Sequence, residues 1–206
     1  MTVVKIGQPE HERRLSLLRR RVTPGIVILV IGSIVVLRLW VVETAIVEGG
    51  SMETTLHTGD RVLVLKLLSP QRFDIVVLRE SRWGTSAIKR VVGLPGDTVS
   101  MVPYVLERGR SEIMVGGQLY INGQPYDEPY ATSVLPTSMA PIKVPEGSYF
   151  VMGDERDAST DSRSYGPIER PRIHGVAVAV VYPFPRMRAI KRGSELATGA
   201  AEAPSR

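Results

Sequence analysis

The 206-residue chain contains no cysteine. That excludes a disulfide, a thiolate nucleophile and any cysteine-ligated metal. Histidine is scarce: there are three, His11, His57 and His174. No two of them stand at the spacing of a metal-ligand pair, so no metal site and no cofactor are predicted. Internal repeats are lacking. A second long hydrophobic run is lacking too, since Val176 to Val181 is far too short to cross a bilayer. Positive charge is sparse where a nucleic-acid-binding body would carry it. The net charge of +5 comes from the two ends, with six basic against two acidic residues in 1–24 and five against two in 186–206. The segment between them is net acidic, and nucleic acid is excluded as a partner on that ground.

What the chain does have is one long apolar run. Pro24 to Val42 reads PGIVILVIGSIVVLRLWVV, about the length needed to span a bilayer core. Arg38 can snorkel to the headgroups, and Trp40 suits the interface. A buried core helix and a cleaved signal peptide are the alternatives, but no small-x-small cleavage site closes the run. Five arginines at 13–21 precede it. The positive-inside rule then predicts residues 1–23 as a cytoplasmic segment, 24–42 as a single transmembrane helix in contact with membrane lipid, and residues 43 onward outside.

Beyond the span the pattern is one of short strands. Val- and Leu-rich runs at 61–66, 73–79, 87–92, 98–102, 148–152 and 173–182 alternate with turn chemistry at Ser69-Pro70, Trp83-Gly84 and Gly93 to Asp97. Asn122-Gly123 predicts a tight hairpin. Residues 103–117 and 127–141 read as irregular, 98–148 as a small insertion or subdomain, and 186–206 as a basic, disordered tail. The fold class is mostly β: a coiled antiparallel sheet, barrel-like, forming one domain over 43–185.

Three stretches carry chemistry. Glu48-Gly49-Gly50-Ser51 puts a hydroxyl beside two residues without side-chain bulk, where a substrate carbonyl can approach. Taken alone, Gly-Gly-Ser is ordinary loop punctuation. Serine needs a base, and His57 or His174 could supply it. Lysine is the other candidate, provided burial makes it neutral. Lys89 suits that role, because strand alternation puts it on one face with Ala87 and Val91. The plainer reading of Lys89 is an edge-strand lysine that discourages aggregation. The third stretch, Gly153 to Gly166, is dense in acids, arginines and hydroxyls. It can fix a neighbouring lysine, or it can be a solvated loop with weak ion pairs.

Together these stretches resemble the bacterial type I signal peptidases over roughly Arg38 to Tyr182. The matching motifs are Gly50-Ser51-Met52-x-x-Thr55-Leu56, then Gly59-Asp60, then Lys89-Arg90-Val91-Val92-Gly93-Leu94-Pro95-Gly96-Asp97. The last is Gly153-Asp154 followed by Ser159-x-Asp161-Ser162-Arg163-x-Tyr165-Gly166. The resemblance implies a serine endopeptidase of the bacterial plasma membrane with a Ser-Lys dyad, Ser51 as nucleophile and Lys89 as general base. It implies that Ser159 hydrogen-bonds the lysine, and that Asp154, Asp161, Arg163 and Arg90 support the site. Met52, Leu56 and Ile88 match positions lining small-residue pockets. The implied partners are exported preproteins bearing signal peptides, cut after small residues at −3 and −1 while lying extended beside a strand.

The chain departs from the family pattern at four places. Thr54 stands where proline is usual, and Gly49 where part of the family has a serine that serves the oxyanion hole. Glu155 and Ala158 replace frequent asparagines. Two other functions compete with this reading. One is a self-cleaving Ser-Lys repressor, which would need a DNA-binding module where the apolar run stands. The other is an anchored extracytoplasmic β-domain that binds partners without catalysis.

Overall fold

The computed structural model describes residues 24–36, 40–79, 86–108, 112–133 and 135–193. The chain forms two compact units, 1–41 and 42–206. In the first, α1 (Pro24–Val36) starts on a proline, whose fixed φ suits the first helical turn, and is apolar on every side. Its 13 residues rise about 20 Å, against a hydrocarbon core of about 30 Å. Among the described residues no helix is long and apolar enough to cross a membrane. Of the run expected to span as one helix over 24–42, Pro24–Val36 is α-helical, Trp40 and Val41 lie in a π-helical turn, and Val42 already opens the first strand.

The second unit is built on antiparallel strands. One sheet has the order β1 (Val42–Ile46), β2 (Arg61–Leu65), β11 (Ile173–Tyr182), β3 (Ile75–Leu78), β4 (Ala87–Gly93), β9 (Ser148–Met152) and β10 (Ile168–Glu169), with β12 (Arg188–Ala189) beside β11. It curls strongly, as a half-barrel. The other sheet has the order β7 (Gln124–Tyr126), β6 (Glu112–Ile121), β5 (Thr98–Arg108) and β8 (Met139–Lys143). The expected mostly-β, coiled antiparallel architecture is what forms.

The core explains why β3 reads as an unbroken apolar run. Ile75 and Val77 face one cluster with Val47, Met52, Leu56, Val62 and Val64, whereas Val76 and Leu78 face another with Val91, Val151, Ile173 and Val176. Both faces are buried, so no polar residue alternates with the apolar ones. A third cluster, around Phe73, Val99, Leu119, Phe150 and Met152, joins the two sheets.

Three expectations change. Residues 103–117, expected to be irregular, belong to a hairpin whose ladder runs from Val99↔Ile121 to Arg108↔Glu112. Pro103, Gly116 and Gly117 break the alternation a strand would show. The glycines are there because the fold is crowded: a Cβ on Gly116 would lie 2.8 Å from the Tyr104 hydroxyl, and one on Gly117 would lie 2.7 Å from the Thr137 carbonyl. Residues 127–141, expected to be loop, end in β8, which pairs with β5. The tail expected to be disordered from 186 is packed through 193. β12 pairs with β11, Ile190 is buried, Arg186 bonds Asp60 and Arg192 bonds Asp74. Residues 194–206 and the Trp83-Gly84 turn lie outside the described residues. The Asn122-Gly123 hairpin forms as expected, with φ of 54° and 78°.

Candidate active site

Ser51 sits in the turn that follows β1. Gly49 enters that turn with φ of 82°, a conformation that would strain a serine at the same position. Met52 and Leu56 are sealed in the core and peg the turn from below. The N–H groups of Thr55 and Leu56 both donate to the Met52 carbonyl, at 2.8 and 2.6 Å. The ends of the loop are tied where Val47 N–H donates to the Asp60 carbonyl and Gly59 N–H to the Val47 carbonyl.

Lys89 stands in β4 opposite Val76 of β3 and is only 5 % exposed. Its Nζ donates to Ser159 Oγ at 3.0 Å. Among the described residues no carboxylate reaches ion-pair distance of it. Burial pulls the Lys89 amine below its ordinary value, against the opposing pull of Asp161. Ser159 in turn donates to Asp161 Oδ2 at 2.7 Å. A hydroxyl has one proton, so Ser159 must accept from the lysine while it donates to the carboxylate. Asp161 is fully buried, which alone would push its pKa up. The Arg163 guanidinium, at 2.8 and 2.9 Å, and the Gly153 N–H, at 2.9 Å, hold it below the usual carboxylate range. Asp161 is thus a fixed anion, and the chain Asp161–Ser159–Lys89 fixes the lysine's orientation.

Gly153 joins this chain to the turn that bears Ser51. A Cβ there would lie 2.3 Å from Ser159 Oγ and 2.7 Å from the Ser51 carbonyl oxygen, so the Ser51 backbone and the Ser159 side chain close on a single point. The Ser51 carbonyl also accepts from Glu155 N–H at 3.1 Å. A second brace lies behind. Arg90 holds Asp154 with two bonds, of 2.8 and 2.6 Å, while its guanidinium lies 3.9 Å over the Tyr130 ring. Thr55 Oγ1 donates to the same Asp154 at 2.5 Å, so the turn bearing Ser51 is bonded directly to the loop after β9. At the departures from the family pattern, Thr54 donates to the Tyr130 carbonyl at 2.7 Å, and the Glu155 carboxylate accepts from Thr132.

The sequence-predicted residues therefore divide. Lys89, Ser159, Asp161 and Arg163 form one bonded chain, and Arg90 and Asp154 another. Ser51 lies against the first through its backbone. Ile88 lines an open groove of about 790 Å³ with Ala45, Ile46 and Ser86, whereas Met52 and Leu56 lie in the core and not on the groove surface. The rival bases are engaged elsewhere, His57 with Glu53 and His174 with Glu43 and Arg79; His11 lies outside the described residues. Sequence reasoning missed Thr55 as a brace, Tyr130 and the buried Arg156–Glu128 pair. Only the Asp127-Glu128-Pro129-Tyr130 cluster inside a Ser/Thr-rich stretch could have hinted at the last two.

Comparison with known proteins identifies the family. The profile of the family described as signal peptidase, peptidase S26 matches residues 19–182. A signal peptidase I of Bacillus licheniformis is 36% identical over 177 residues, covering 79% of this chain and 88% of its own. A probable signal peptidase I-2 of Synechocystis is 33% identical over 196 residues, covering 90% and 81%. The crystal structure of a signal peptidase I from Enterococcus faecalis is 33% identical, covers 53% of this chain and 97% of its own, and has a TM-score of 0.41. With the profile matched across most of its length, the chain belongs to the signal peptidase family, peptidase S26.

Proposed function

We propose that this chain is a membrane-anchored serine endopeptidase that removes N-terminal signal peptides from exported preproteins, cutting after small residues at −3 and −1. The names of its relatives support the substrate class. The observation that carries the mechanism is Lys89: a buried amine whose protonated form is disfavoured, hydrogen-bonded to a hydroxyl rather than paired with a carboxylate. The neutral amine takes the proton of Ser51 Oγ as that oxygen attacks the scissile carbonyl. The ammonium so formed gives its proton to the departing amine, and the restored base then activates the water that hydrolyses the acyl-enzyme. The Ser51 N–H is the ready donor to the oxyanion.

The strand edges support an extended substrate. Among the described residues β1 pairs only with β2, and β9 pairs with β4 only from Arg90 onward, so the edge of β4 at Ala87 to Lys89 is open. The groove lies between those two edges, and a peptide can add to them by backbone hydrogen bonds. The apolar run at 24–42 is the proposed anchor. Cleavage of a purified preprotein by the full chain in detergent, but not by Ser51→Ala or Lys89→Ala, is the expected result. Equal cleavage by all three would sink the proposal, and no cleavage by any would favour a binding domain.

A further inference from the structure

The groove has two ends, and only the one lined by Glu48 and Ile88 leads toward Ser51 and Lys89. β1 and β4 run in the same direction, because four antiparallel pairings connect them through β2, β11 and β3. β1 runs toward Ser51 and β4 toward Lys89, so the groove between them lies upstream of both. Its far end is at Glu43, the second residue of β1, and where β3 leaves the sheet, at Leu78 and Arg79, beside His174.

That far end is a built polar site. Arg79 Nε donates to His174 Nδ1 at 3.2 Å, which makes Nδ1 the acceptor and puts the imidazole proton on Nε2. Nε2 faces Glu43 Oε2 at 2.7 Å. Lys66 Nζ reaches the same oxygen at 2.7 Å. The Glu43 carboxylate is therefore bonded twice, its charge balanced by Lys66, and the imidazole bridges Glu43 to Arg79. Glu48 lines the groove toward the Ser51 end; at the far end the charge that remains for a ligand is that of Arg79, a solvent-exposed residue.

Resting on the proposed peptidase reading, we infer that Arg79, positioned by His174 and Glu43, forms a distal subsite that selects an acidic over a basic residue about five positions before the cleaved bond. The register follows from strand geometry. Val47 is four residues beyond Glu43, roughly 13 Å at a strand's rise. A substrate whose −1 residue lies level with Val47 and that runs back along the groove brings its −5 residue beside Glu43 and Arg79. The site discriminates by charge, so its effect is that of a single exposed pair.

The test uses the full chain in detergent and one preprotein peptide carrying Asp, Ala or Lys at −5, with a second set varied at +5. In the wild type, kcat/KM for Asp at −5 should exceed that for Lys roughly three- to fivefold at low salt. The ratio should shrink toward one in about 0.5 M NaCl as screening shortens the reach of the charge. Arg79→Gln should bring the ratio close to one, and Arg79→Glu should invert it to favour Lys. A wild-type ratio near one, a preference seen at +5 instead of −5, or an Arg79→Glu enzyme that still favours Asp would each overturn the subsite while leaving Ser51-dependent cleavage standing. Failure to cut any of the peptides would overturn the peptidase reading, and the subsite with it.

Discussion

At the scale of single residues, Lys89 is a buried amine held by a hydroxyl. Its burial disfavours the ammonium, and the only hydrogen-bond partner shown for it is a hydroxyl already committed to donating to Asp161. Arginine there would keep the length and charge but cannot deprotonate. Lys89→Arg is therefore expected to lose at least about 10³-fold in kcat/KM, the scale on which a nucleophile–base unit fails when one member is removed. Retention of activity within about tenfold would show that Lys89 is not the base. The direction of its pKa also fixes two pH dependences. As a base Lys89 works only when deprotonated, so kcat/KM should fall as pH drops through its folded-state value, which lies below the usual 10.5. In the unfolded chain the same lysine binds its proton more tightly, so between the two values the unfolded state holds more protons and stability rises with pH. Replacing the amine with an apolar isostere removes that penalty. Lys89→Met should be inactive yet more stable at neutral pH by about 1 kcal/mol, read as a raised Tm; a lowered Tm would mean that Ser159 contributes more to Lys89 than burial takes away.

At the scale of elements, the site depends on loops being bonded to one another, and Gly153 is where they close. A methyl group there meets Ser159 Oγ at 2.3 Å and the Ser51 carbonyl at 2.7 Å, both closer than real Cβ atoms come. Gly153→Ala should fold, with a loss of about 1–3 kcal/mol from overpacking, but should lose catalysis by at least about 10²-fold, since a displacement of about 1 Å costs that much. The C-terminal segment makes a similar demand. Asp60 is fully buried, and Arg186 binds its Oδ1 at 2.9 and 2.6 Å. Arg186→Ala would leave that carboxylate with His57 N–H alone on its other oxygen and should destabilise by roughly 2 kcal/mol. Asp60→Asn in the same background should recover part of the loss in a urea titration. These two contacts mark the boundary of what the sequence disclosed. The strands with β-branched runs, the Asn122-Gly123 hairpin, and the grouping of Lys89 with Ser159 and Asp161 could be read from local pattern and motif. The β5–β6 ladder could not, because Gly116 and Gly117 answer to Tyr104 and Thr137 far away in sequence. Nor could the fixed tail, because its arginines read as solvated charge until Asp60 and Asp74 are seen buried beneath them. Met52 and Leu56 were matched to pocket positions through the family pattern, but their burial is set by the curl of the sheet, which periodicity does not report.

At the scale of the whole molecule, the charge distribution bears on how the chain would lie at a membrane. Its net charge of +5 is concentrated at the two ends, while the segment between them is net acidic. Much of the basic charge at the C-terminal end is engaged by the folded body: Arg186 and Arg192 pair with buried carboxylates, and Arg188 bonds the Thr55 carbonyl. The arginines at 13–21 stand directly before the apolar run. A juxtamembrane cluster of that kind is retained on the cytoplasmic side, and each residue interacts with an anionic leaflet by about 1 kcal/mol. If the run at 24–42 anchors the chain, Ser51 follows it by nine residues, a reach of about 30 Å even when fully extended. The active site then stays close to the outer membrane–water boundary, where a signal-peptide junction would emerge. The expected topology is an N-terminus inside and residues 43–206 outside. Protease added to intact spheroplasts should digest the C-terminal body and spare an N-terminal tag. Moving the five arginines of 13–21 to the far side of the run should weaken or reverse that pattern, since orientation follows the positive charge flanking the span and not the fold of the exported domain. Loss of the tag with survival of the body in the unaltered protein would overturn this orientation, and would put Ser51 and Lys89 on the side where exported preproteins still carry their signal peptides in the cytoplasm.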